Sequence, residues 1–146
     1  MNELREPSDP GTAQFFAAIE ASGALPTGVS AAEAARAVLC PLWLRVTRGM
    51  VRQVLAALPP GLRALLEDCA ARRDEAPAVF DAEQFMRMVR YRLPDLSFEQ
   101  ADDLVRAVFG ALQALLPARE QRDLMSQLPR DLRALWPPAP PRRRVA

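Results

Sequence analysis

Leu58-Pro59-Pro60-Gly61-Leu62-Arg63-Ala64-Leu65 returns as Leu128-Pro129-Arg130-Asp131-Leu132-Arg133-Ala134-Leu135, an offset of 70 residues. The same offset carries Arg36-Ala37-Val38 onto Arg106-Ala107-Val108, Phe15 onto Phe85, Leu42 onto Leu112 and Arg52 onto Arg122. A constant offset held without a gap over most of a chain points to duplication of one supersecondary unit. The retained positions are Leu, Ala, Val and the Leu-Pro breaks, which are packing and punctuation. The reading is therefore all-α: about eight helices, arranged as two tandem four-helix units. A unit of roughly 60 residues is marginal alone, so the two are expected to pack into one domain about a pseudo-twofold axis.

Working outward, helical periodicity dominates and no stretch alternates as a strand would. Asp9-Pro10 is an N-cap and N1 pair for a helix over about 10–22, with Phe15, Phe16 and Ile19 on one face and Gly23 as its stop. Ser30 with Glu33 forms a capping box, and the helix that follows carries Ala34, Ala35, Val38 and Leu39. Pro41 should kink or end it, since proline has no N–H for the preceding turn and clashes with it. A turn at Thr47–Gly49 leads to Met50, Val51, Val54 and Leu55, and Pro59-Pro60 opens a fourth helix with Leu62, Leu65, Leu66 and Cys69. In the second half Asp81 with Gln84 caps a helix bearing Phe85, Met88 and Val89. Ser97 with Gln100 caps a long helix that lasts until Pro117, and Leu124, Met125, Leu128, Leu132, Leu135 and Trp136 close the series. The expected organisation is a flexible N-terminus over 1–9 and one helical domain over 10–136. Within that domain, copy one covers about 10–73, a linker 74–80 and copy two about 81–136. A disordered Pro/Arg-rich tail occupies 137–146.

Composition removes much of the usual chemistry. The chain has 146 residues, 19 Arg, no Lys, no His and a net charge of +1. Without His there is no imidazole base, ligand or Ser-His pair. Without Lys there is no Schiff base and no P-loop lysine. The expectation is no enzyme, no catalytic residues, no cofactor and no metal site, although carboxylates and Arg leave carboxylate chemistry open. Cys40 and Cys69 stand 29 residues apart with no CxxC partner. Each reads as a buried reduced thiol in a cytoplasmic protein. The N-terminus has no apolar signal core, and no apolar run approaches the ~20 residues of a membrane span.

At this point the residues suggest a family. An aromatic-led helix, a capped helix ending near RAVL or RAVF, and a shorter helix closing on LPxxLRAL, in two copies, resembles the bacterial domain of unknown function 2267 family. The likeness covers about residues 12–136 and rests mostly on 58–65 and 128–135. It implies tandem helical units and a family with no established biochemical role and no catalytic residues to carry over. The chain departs from regular duplication at Cys40-Pro41, where the second copy has Gly110-Ala111.

Six residues stand out as candidate interaction positions: Trp43, Arg45, Arg48, Arg87, Arg90 and Tyr91. Arg45, Arg48 and Arg52 would share a helix face if one helix ran past Gly49. Arg87, Arg90 and Arg92 cluster around Tyr91 near a helix C-terminus, where cations complement the dipole. Trp43 would be either core or part of an exposed patch beside Pro41. The repeat-kept pairs Arg36/Arg106, Arg52/Arg122 and Arg63/Arg133 read as structural, with guanidinium groups snorkelling to helix C-termini or carboxylates. Glu99, Asp102 and Asp103 read as charges offsetting a helix dipole. The function expected first is a non-catalytic protein-interaction or regulatory module, with a protein partner or self-association and no membrane. A weak nucleic-acid or anion binder using the Arg clusters and Arg142–Arg144 comes second, disfavoured by the low net charge. A ligand or enzyme site in the groove between the copies comes third.

Overall fold

The structure is a computed structural model, and it describes residues 9–71 and 77–138. The expected N-terminal segment up to residue 8, residues 74–76 of the linker, and the tail from residue 139, including Arg142–Arg144, lie outside the described residues. The described residues form helices and connecting turns, with no strand among them. The order is α1 (Pro10–Ala21), α2 (Ala31–Arg45), α3 (Arg48–Ala57), α4 (Pro60–Ala71), α5 (Ala82–Arg92), α6 (Phe98–Leu115), α7 (Ala118–Ser126) and α8 (Arg130–Arg133).

Local chemistry sets most of these boundaries. Asp9 caps α1, accepting from the Thr12 backbone N–H at 2.7 Å, and Pro10 takes the first helical position. Ser30, Asp81 and Ser97 each close a complete capping box, with Glu33, Gln84 and Gln100 reaching back to the cap N–H. Two orphan donors are satisfied at each start. After α1 the chain turns through Gly23 at φ 79°, a left-handed conformation that glycine adopts without a Cβ penalty.

The Asp9 cap also serves tertiary structure. Its carboxylate accepts from the Gly61 N–H at 2.9 Å, and the buried Thr12 hydroxyl accepts from the Leu62 N–H at 3.0 Å. The N-termini of α1 and α4 thus share one polar knot. A Cβ on Gly61 would fall 2.9 Å from the Thr12 hydroxyl oxygen, which explains a glycine there. At the matching join of α5 and α8 the roles are exchanged: Asp131 of α8 accepts from the Ala82 N–H of α5 at 2.9 Å.

Pro41 does not end α2, which continues to Arg45 with Pro41 inside it. Of the two outcomes expected at Pro41, an end or a continuation past it, the helix takes the second, and burial accounts for it. Loss of the donor to Ala37 and the ring clash cost about 3 kcal/mol. Beyond Pro41, Leu42 is fully buried, as is the larger Trp43, and the leucine alone returns about 1.5–3 kcal/mol. The helix stops instead at Val46, which is buried and extended, and Thr47 then caps α3 by accepting from the Met50 N–H at 3.1 Å. Arg45 therefore does not share a helix with Arg48 and Arg52. On α5, Met86 is buried and Met88 only packs against the core from its edge, so the expected use of Met88 shifts to Met86.

The core is continuous across the two halves of the chain. Helix α2 packs on α1, α4, α5 and α6; α1 packs on α6, and α3 on α7. Phe85 sits 6.4 Å from Phe80 and 6.0 Å from Phe109, and Phe109 lies 5.5 Å from Trp136, ring centroid to centroid.

Cys40 of α2 and Cys69 of α4 form a disulfide, with Cα atoms 5.7 Å apart. This corrects the reading of both as reduced thiols. Cys40 is buried, as expected, while Cys69 is only half-buried. A spacing of 29 residues says nothing about proximity until α4 is seen to lie along α2. No helix among the described residues is long and apolar enough to cross a membrane.

Candidate functional site

The candidate residues fall on three helices and do different work. Trp43 is wholly buried in the core, so its place among the interaction candidates is corrected to a packing role. Arg45, at the end of α2, donates through Nε to the Phe80 carbonyl at 3.3 Å. The Ala78 N–H meanwhile donates to the Leu44 carbonyl at 2.7 Å. Together they fasten the segment before α5 onto the end of α2. Arg87 pairs with Glu83 at 3.5 Å one turn earlier. Arg90 donates through Nε to the Leu96 carbonyl at 3.1 Å and lies 5.9 Å over the Phe98 ring. Tyr91 is 87% exposed. It borders a shallow depression of about 180 Å3 between α2 and α5, with Pro41, Leu44, Met88 and Arg92. Arg48 stands in the first turn of α3, away from this surface and on the edge of a different groove.

The arginines matched at the 70-residue offset separate into two kinds. Arg63 donates through Nε to the Leu55 carbonyl at 3.0 Å and through Nη2 to the Leu58 carbonyl at 2.9 Å. Arg133 donates to the Leu128 carbonyl at 3.2 Å. Arg36 donates to the Leu65 carbonyl and pairs with Asp68 at 2.9 Å. Arg106 pairs with Asp102 at 2.9 Å and reaches the Ala134 carbonyl at 3.3 Å. Arg63, Arg133 and Arg106 satisfy carbonyls at or just past the ends of neighbouring helices, where intrahelical donors run out and the dipole is negative, whereas Arg36 reaches a carbonyl in the middle of α4. That is the structural role expected of them.

Arg52 and Arg122 differ. Both are exposed, and neither makes a hydrogen bond or ion pair among the described residues. Each stands on the lip of a groove. Groove one, about 320 Å3, runs between α3 and α4, with Arg48, Val51, Arg52 and Leu55 on one wall and Glu67 and Ala70 on the other. Groove two, about 540 Å3, is bounded by Ala118, Gln121, Arg122 and Met125 of α7 and by Gln113, Trp136 and Pro137. Both floors are mainly apolar. One groove is bordered by α3 and the other by α7, two helices that pack together and are joined where the Gln53 amide donates to the Asp123 carboxylate at 2.9 Å. The expectation that Arg52 and Arg122 are structural like the others is not met.

The carboxylates are dispersed. Asp102 is held by Arg106, Asp68 by Arg36, and Glu99 sits in the first turn of α6. The Asp9 carboxyl is held below its ordinary value, chiefly by the hydrogen bond from the Thr12 N–H, with the Gly61 N–H and Thr12 hydroxyl adding to it against partial desolvation.

These features define an all-α protein with a continuous core and shallow grooves over its surface. The chain belongs to the family described as Uncharacterized conserved protein (DUF2267), whose model matches residues 12–135. A search of curated proteins returned no match.

Proposed function

We propose that this chain is a non-catalytic interaction module, made by duplication of a four-helix unit, that binds a protein partner through grooves one and two. Supporting the duplication, α1–α4 and α5–α8 fall in register at the offset of 70, and the packing is reciprocal. Helix α1 lies on α6 as α5 lies on α2, and α3 meets its counterpart α7. Such exchange is what a twofold relation requires. Residues 52–60 and 122–130 also repeat one pattern of buried, half-buried and exposed positions.

The observation that carries the functional reading is the pair Arg52 and Arg122. Duplication kept both, neither side chain finds a hydrogen-bond or ion-pair partner among the described residues, and each overhangs an apolar trough at a corresponding place. An exposed guanidinium beside an apolar floor suits a carboxylate flanked by aliphatic or aromatic side chains, as on one face of an acidic amphipathic helix. Two such sites on one rigid unit would favour a partner carrying two acidic segments, through effective concentration.

The test is affinity capture of tagged wild type and of an Arg52→Glu/Arg122→Glu variant, at low and moderate salt, with and without nuclease. The reading expects a protein bound in stoichiometric amount that survives nuclease and is lost from a variant with unchanged helicity. Equal capture by the variant would refute it. Nucleic acid that leaves with salt would favour the anion-binding alternative.

A further inference from the structure

We infer that the Cys40–Cys69 bond is a reversible redox latch that shapes groove one and leaves groove two unaffected; the consequence for binding rests on the interaction reading above. The bond sits inside the wall it would control. Glu67, Ala70 and Ala71 of α4 border groove one, and Cys69 lies among them on the same turn. Toward the N-terminus α4 is anchored deeply: Leu62 and Leu66 are fully buried, and the Asp9–Gly61 and Thr12–Leu62 bonds tie down its first turn. Beyond Leu66 the attachments are shallower. Among the described residues they include the Arg36–Asp68 pair, with both side chains partly exposed, the half-buried Ala70, and the disulfide. Removing the covalent tie therefore acts on the last turn of α4 far more than on its first.

The two sulfurs are unequal, as a latch requires. Cys40 is buried on α2, whereas Cys69 is only partly buried, which assigns Cys69 as the sulfur met first by an external thiol or disulfide. Closure begins when the Cys69 thiolate attacks a small-molecule disulfide of the glutathione class. The S–S bond of that oxidant breaks, a mixed disulfide forms on Cys69, and one thiolate leaves. The Cys40 thiolate then attacks the Cys69 sulfur and expels the second thiolate. The two protons once held by the cysteines end on the two released thiols, and the oxidant has taken up two electrons. Opening is the reverse, with two equivalents of thiol. The Leu66 carbonyl lies 3.3 Å from the Cys69 sulfur, near enough to accept from its thiol once the bond opens and the two sulfurs move apart.

The second half has no counterpart. Gly110 stands where copy one has Cys40, and Ala139 where it has Cys69. Groove two is thus built without a staple, and oxidation changes the module from one secured groove to two.

The test is hydrogen exchange with mass spectrometry on the full-length chain, equilibrated in oxidised and in reduced glutathione buffers. A Cys40→Ala/Cys69→Ala variant serves as a permanently open control. The latch predicts loss of two hydrogens from the intact mass in the oxidised buffer. It also predicts exchange at residues 67–71 about tenfold or more faster in the reduced buffer, with residues 118–126 of α7 unchanged. Two thiols that remain open to alkylation in the oxidised buffer would overturn it, as would identical exchange at 67–71 in both buffers. Neither readout involves a partner. A failed latch therefore leaves the groove reading untouched, and failure of the Arg52/Arg122 capture leaves the latch standing.

Discussion

Replacing Arg63 and Arg133 one at a time by Met gives the sharpest test of the energetics. Methionine keeps most of the apolar stem, so the comparison isolates the guanidinium. Arg63 makes two charge-assisted bonds, to Leu55 and Leu58, at 3.0 and 2.9 Å, whereas Arg133 makes one, to Leu128, at 3.2 Å. Hydrogen bonds to charged groups contribute about 1.5–3 kcal/mol when well sheltered. Partial exposure brings each nearer to ~1 kcal/mol. Arg63→Met should then cost about 2 kcal/mol and Arg133→Met about 1 kcal/mol, or roughly 6 and 3 °C in Tm for a chain of this size. Urea unfolding in oxidising buffer measures both, and the midpoint should fall with the slope unchanged. Equal losses, a reversed order, or losses below ~0.5 kcal/mol for both would refute the view that the motif arginine fastens the end of the preceding helix.

Further outcomes follow from the same geometry. Trp43→Ala should destabilise by about 3–5 kcal/mol in urea, because the ring is wholly buried; a surface-like loss near ~0.5 kcal/mol would contradict a core role. Reducing the disulfide reopens a loop of 29 residues, worth about 3.6 kcal/mol on the chain-entropy relation, so Tm with and without thiol should differ by roughly 10 °C or more. Because folding lowers the Asp9 pKa, the unfolded chain binds this proton first as pH falls. The Asp9 contribution is therefore complete above the unfolded value and disappears as pH drops through the lower folded value. Asp9→Asn should flatten that part of the stability–pH profile, and a profile unchanged below pH ~4 would contradict the assignment.

Legibility in the sequence followed the range of the interaction. Capping boxes at Ser30, Asp81 and Ser97 couple residues three apart, so their boundaries could be read directly. The motif arginines were readable because each reaches a carbonyl only a few residues away. Pro41 left two outcomes open because its local penalty is visible while the burial of Leu42 and Trp43 that outweighs it is tertiary. The disulfide was hidden for the same reason, since it depends on α4 lying along α2. On α5, Met86 and Met88 both fit a helical stripe, and the packing of α2 and α6 decides between them. The grooves left one trace, the Arg52/Arg122 match. Sequence could not separate that match from the structural pairs, because only coordinates show which guanidinium groups find carbonyls.

The most direct measurement is photo-crosslinking in the native cell with a photoreactive residue at Leu55, at Met125 and, for comparison, at the exposed Tyr91. Leu55 and Met125 border grooves one and two, and Tyr91 lies on the α2–α5 surface. The account predicts the same protein adduct at 55 and 125, abolished by Arg52→Glu/Arg122→Glu. Adducts at 91 alone, or adducts at 55 and 125 indifferent to that charge reversal, would contradict it.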